Sequence, residues 1–100
     1  MTQKAKTLLG FAAKAGKLSY GMDAAVSSVK SKKSKLLICC SDLSPKSKKE
    51  IIYYSDKFDL PFMVLDETMQ DMLKTVGKKC GILSVNDAGF RDSIIQEEKQ

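Results

Sequence analysis

Gly21 and the segment it opens, Met22-Asp23-Ala24-Ala25-Val26-Ser27-Ser28-Val29, form the part of this chain best equipped for chemistry. A glycine at a helix start lets a partner come close to the backbone. The unpaired N–H groups there, with the positive end of the helix dipole, favour anions. Lys17 lies just before this segment, and Lys30, Lys32, Lys33 and Lys35 follow it. Lysines so placed point to phosphate as the anion and nucleic acid as its bearer. Lys46 and the run Gly77-Lys78-Lys79 lie in connections that could edge the same basic rim. Such a rim adds affinity and salt dependence but little sequence preference.

Other chemistries find few residues. The chain has no histidine, so the usual general base near neutral pH is missing, and no paired acids stand out. Gly10, Gly16 and Gly21 match neither a P-loop nor a dinucleotide fingerprint. Asp42 follows an apolar run, where many α/β enzymes keep a functional acid; a turn or capping role with Ser44 is the plainer expectation. The three cysteines are an odd count without a C-x-x-C pair. Reduced core cysteines of a cytoplasmic protein are expected, not a zinc site or a disulfide framework. Cys39 and Cys40, neighbours in one strand, should point to opposite faces. The residues thus suggest a non-enzymatic protein with no cofactor and no metal. Tyr20 is the nearest stacking partner for a base, and an inward or an outward ring fits its position equally well.

One hundred residues with 43% hydrophobic content make one folded domain, 1–100. Residues 1–50 carry 11 lysines against Asp23, Asp42 and Glu50, a net +8; residues 51–100 carry six cations against nine acids, a net −3. A basic half beside an acidic half suggests one face for phosphate and another for solvent or a second partner. No apolar stretch is long enough to span a membrane, and Lys14 and Lys17 interrupt the only leader-like start.

The periodicity predicts a first helix over 3–14 with Leu8, Leu9, Phe11 and Ala12 as its apolar stripe. Gly16 ends it, and Leu18-Ser19-Tyr20 makes a short strand. A second helix is expected from Met22 to Ser31, with Met22, Ala25, Val26 and Val29 inward. Leu36 to Cys40 reads as a central strand covered on both faces. Ser44 and Pro45 cap and start a third helix, whose inner stripe is Ile51, Ile52, Tyr54, Ser55 and Phe58. A strand at 62–65, a helix at 68–75 carrying Met69, Met72 and Leu73, a strand at 81–85 and a helix at 88–96 complete the chain. Short alternating strands and helices predict a three-layer α/β/α sandwich around a four-stranded mixed sheet.

The order of segments also resembles a family. Gly16-Lys17-Leu18-Ser19-Tyr20-Gly21, then Lys33-Ser34-Lys35-Leu36-Leu37-Ile38, then Ser41-Asp42-Leu43-Ser44-Pro45 is similar to the ribosomal-protein family that binds kink-turn RNA. The likeness extends through Leu60-Pro61-Phe62 and Val76-Gly77-Lys78-Lys79 to Asn86-Asp87-Ala88-Gly89-Phe90, and it lies nearest the family's small bacterial YlxQ-type members. It implies structured RNA, ribosomal RNA foremost, as the partner of a monomer, with a protein partner in the translation machinery as a further expectation. In that family a G-x-N-E-x-x-K element at the second helix contacts sheared G·A pairs. Here the matching residues are Gly21, Met22, Asp23, Ala24, Ala25, Val26 and Ser27. Asp23 cannot donate as an amide does, and Ser27 brings no charge to a phosphate. The second family contact, a loop before the fourth strand, corresponds to Gly77-Lys78-Lys79-Cys80, with Leu73 where the family has an earlier glycine. An adaptor that keeps the fold and docks proteins on its acidic half is the main alternative, and a small-molecule or nucleotide-binding domain is a third.

Overall fold

The architecture follows from where the helices begin and stop. In a computed structural model, residues 1–99 are described, and five helices alternate with four strands. The elements are α1 (Gln3–Lys14), β1 (Leu18–Tyr20), α2 (Met22–Lys30), β2 (Leu36–Cys39), α3 (Pro45–Lys57), β3 (Phe62–Val64), α4 (Met69–Val76), β4 (Ile82–Val85) and α5 (Ala88–Glu98). Each predicted element is present, with ends moved by one or two residues. Thr2, Ser44, Thr68 and Asp87 cap α1, α3, α4 and α5 by accepting a hydrogen bond from a first-turn N–H. At α4 the cap is reciprocal: Asp71 accepts from the Thr68 N–H at 2.9 Å, which holds its carboxyl below the usual range.

The strand order is β1-β4-β2-β3. β4 pairs antiparallel with both β1 and β2, while β2 and β3 run parallel, so the sheet is mixed as predicted. One face carries α1, α4 and α5, whose Leu9, Ala12, Met72 and Ile94 bury against Leu18, Leu36, Ile38, Leu83 and Val85. The other carries α2 and α3, whose Ala25, Val29 and Ile51 bury against Leu37 and Ile82. Fully burying one such aliphatic side chain contributes about 1.5–3 kcal/mol relative to leaving it exposed. The strand alternation separates Cys40, in the first core, from Cys39, as expected from adjacent positions. All three cysteines are free and buried; burial, then the neighbouring Cys80, pushes the Cys40 thiol up to about 12.

Three expected inner residues lie outside. Phe11 is 55% exposed and Leu73 43%. Val26 is half-buried on the outer side of α2, beside Asp23, Ser27 and Lys30, and Ser28 takes the inward place. Ala25 and Val29, four positions apart, fix the helical phase, and Ser28, three positions after Ala25, shares their buried face. Asp42 also differs from its expected pairing with Ser44. Its Oδ1 accepts from the Met69 N–H at 2.9 Å, joining the β2–α3 connection to the start of α4. Gly81 closes the same corner: a Cβ there would lie 2.8 Å from Leu43 Cδ1 and 3.2 Å from Met69 Sδ.

Candidate nucleic-acid interface

β1 delivers the chain to Gly21, whose N–H donates to the Ile82 carbonyl at 2.9 Å before the backbone turns sharply into α2. The turn uses φ +87° and ψ 168°, a region open almost only to glycine. α2 is the one helix whose start has no side-chain cap among the described residues. The N–H groups of its first turn therefore face outward without a protein acceptor, and the helix dipole adds partial positive charge there. Asp23, Ala24 and Ser27 are exposed on this outer face, and Met22 packs beneath against the α2–α3 core.

Gly77, in the left-handed conformation at φ +81°, ends α4 and starts the loop that reaches the same end of the sheet. Lys78 Nζ lies 4.6 Å from the centroid of the Tyr20 ring. That placement answers the question of Tyr20: the ring is half-buried against the core and a lysine covers it. Burial, then Cys80, raises its phenol above the usual value. Lys79 and Lys46, the latter in the first turn of α3, are exposed. Gly21, Met22, Asp23, Lys46, Gly77, Lys78 and Lys79 thus belong to the end of the sheet where β1 and β2 finish and β4 begins.

The remaining lysines, Lys30 apart, lie at the opposite end. The Lys17 carbonyl accepts from the Asn86 N–H and the Lys35 N–H donates to the Val85 carbonyl, which places both at the finish of β4. The C-terminal end of α2 returns Lys32 and Lys33 there, where they line one hollow with Lys17 and Lys35. α2 itself separates the two ends, about 14 Å by helical rise. Lys30 sits on the flank toward α3, its Nζ 5.9 Å from the Tyr54 ring. The lysines expected to form one rim therefore form two groups. The reversal could be read from β1 alone: a three-residue strand puts Lys17 and Gly21 at its two ends, and a helix packed back on it returns its last residues to the first.

Lys32 terminates α2 with φ 63°. Its N–H donates to the Val29 carbonyl, and the next N–H, from Lys33, donates to Ser28, which is a Schellman closure with lysine where glycine is usual. Lys32→Gly is expected to raise stability by about 0.5–1 kcal/mol, the left-handed penalty less the extra chain entropy of glycine. Thermal unfolding monitored by circular dichroism checks this, as a rise of a few degrees.

Sequence reasoning missed a polar layer between α2 and the sheet. Ser84 Oγ lies 2.7 Å from both Ser34 Oγ and Asn86 Oδ1. Asn86 Nδ2 donates to Ser19 Oγ at 2.8 Å, and Ser19 Oγ lies 2.6 Å from Ser28 Oγ. An amide oxygen only accepts, so Ser84 donates to Asn86 and accepts from Ser34. No local signal marks this layer: Ser19 and Ser84 meet only because β1 pairs with β4 in register.

A mixed sheet between two helical layers, with an uncapped helix start flanked by lysines, defines a small basic α/β/α-sandwich protein. The chain belongs to the Ribosomal protein L7Ae/L30e/S12e/Gadd45 family, which it matches over residues 3–95. It is 29% identical over 89 residues to the RNA-binding protein YlxQ of Enterococcus faecium, covering 88% of this chain and 84% of that one. A protein of unknown function from Bacillus halodurans is similar with a TM-score of 0.92 and 27% identity, over 99% of this chain and 100% of the other. The Giardia lamblia 15.5kD RNA binding protein shares the fold with a TM-score of 0.77 at 11% identity, over 96% and 86% of the two chains.

Proposed function

We propose that this chain is a non-enzymatic RNA-binding protein of the translation apparatus, which meets structured, kink-turn-like RNA at the α2 start. The observation that carries this reading is the uncapped α2 N-terminus with Lys46, Lys78 and Lys79 at the same end of the sheet, in a member of this family. The RNA-binding names of the Enterococcus faecium relative supports it. Exposed amides and lysines hold phosphates, and the shape of the RNA decides which phosphates they reach. Ribosomal RNA is the first RNA to test, with the protein acting as a cytoplasmic monomer.

Asp23, Ala24 and Ser27 occupy the positions where the family element carries Asn, Glu and Lys, and all three are exposed. Asp23→Asn with Ala24→Glu and Ser27→Lys should therefore leave the fold intact. It should tighten binding to a kink-turn RNA by roughly three- to tenfold, the equivalent of about one added hydrogen bond or ion pair. Fluorescence anisotropy against a kink-turn and a straight duplex measures this. No gain for the kink-turn over the duplex would remove the α2 start from the RNA site.

The adaptor reading has one observation in its favour. A groove of about 790 Å³ between α1 and α4 is bordered by exposed Phe11 and carries Asp66, Glu67 and Asp71 beside Lys6, Lys14 and Lys74. A protein partner of the translation machinery would dock there, away from the α2 start.

A further inference from the structure

The hollow at the far end of the sheet, about 410 Å³, is lined by Lys17, Lys32, Lys33 and Lys35 around Ser19, Ser28 and Asn86. No carboxylate lines it, and none of the four lysines is in an ion pair among the described residues. Four unpaired cations around one hollow repel each other, so the arrangement is at its most favourable with an anion inside.

The floor adds a donor. Ser19 and Ser28 hold two hydroxyl protons between them, and their mutual 2.6 Å bond uses one. Ser19 Oγ is already an acceptor from Asn86 Nδ2, so the second proton has no acceptor among the described residues. Both serines line the hollow, and Ser28 is only 8% exposed. A neutral hydroxyl donor at the base and ammonium groups at the edge match the oxygens of a phosphate. Lys32 stands there in a backbone conformation that favours glycine.

We infer that this hollow is a second phosphate site, which takes the backbone of an RNA segment other than the one at the α2 start, so that one chain holds two segments. The lining contains no aromatic side chain for a base and no arginine fork, only lysine point charges, which read backbone and not sequence. The inference rests on the RNA-binding reading for the bearer of the phosphate, but not on recognition of a kink-turn.

The test uses the full chain, a short straight RNA duplex and inorganic phosphate. Lys17→Ala with Lys33→Ala and Lys35→Ala should weaken duplex binding about tenfold at low salt and flatten the salt dependence by about two to three units of log–log slope. Lys78→Ala with Lys79→Ala should keep most duplex binding. Native mass spectrometry at low salt should count one more duplex on the unaltered chain than on the triple variant. If the triple variant melts early, Lys33→Gln alone, at an exposed position, should weaken the duplex in the same direction. Unchanged duplex affinity in a folded variant overturns the site, and complete loss in the Lys78/Lys79 variant overturns its independence. The Asn86 side-chain amide resonance separates the sources: it should move with duplex, and inorganic phosphate should displace the duplex only at high millimolar concentration. Saturation by phosphate alone with no competition from duplex would make the ligand a free anion and overturn the RNA assignment. Because the duplex has no kink-turn, failure of the α2-start reading leaves each of these outcomes interpretable.

Discussion

Lys78→Glu combined with Lys79→Glu is expected to weaken binding to a kink-turn RNA by about tenfold to a hundredfold at low salt, because repulsion replaces two phosphate attractions. Both side chains are exposed, and neither forms an ion pair among the described residues. The fold loses only the ammonium over the Tyr20 ring, worth about 0.5–1 kcal/mol at an exposed site. The melting temperature should therefore fall by only a few degrees. The log–log salt slope should drop by about two units, one for each phosphate no longer neutralised. Anisotropy titrations at several salt concentrations measure both quantities. Full affinity in the double variant would detach the Gly77–Lys79 loop from RNA binding.

Gly21→Ala should cost about 1–3 kcal/mol, although a Cβ at this position would meet no atom within 4 Å. The cost is in the backbone: φ +87° with ψ 168° is a conformation that a side chain disfavours whatever space surrounds it. For a domain of this length each kcal/mol lowers the melting temperature by about 4–8 °C, so a fall of roughly 5–20 °C is expected. Gly21 also holds the hinge between β1 and α2, so any relaxation would turn the first-turn amides away from their present direction. RNA affinity should fall with stability, and measurement well below the melting transition separates the two effects. A variant as stable as the native chain would mean that α2 can start on another backbone path.

Local signals made most of the fold legible. Ser44-Pro45 announced α3, Gly16 announced the end of α1, and the unbroken run Leu36–Cys40 announced a strand covered on both faces. Phe11, Val26 and Leu73 were misplaced because hydrophobicity stood in for direction; their helices turn other residues, Ala12, Ser28 and Met72, toward the sheet. The candidate site was legible as residues and not as geometry. Gly21 and the lysines were visible as types, but their division into two groups depends on which end of each strand they flank. The serine layer was hidden for a related reason. Ser19, Ser34, Ser84 and Asn86 are scattered in sequence, and only the pairing of β1 with β4 brings them together.

The position of β4 between β1 and β2 sets the timing of the chain's biogenesis. The strand made last is the one that hydrogen-bonds both earlier partners, so β1 and β2 have no neighbour to join them until residues 82–85 exist. A nascent chain emerging from the ribosome would hold β1 unpaired and β2 paired with β3 alone, and could complete the sheet only once Val85 has cleared the exit tunnel. Folding is then dominated by contacts between distant parts of the chain. During synthesis, the basic first half leaves the ribosome before the strand that joins β1 to β2 exists.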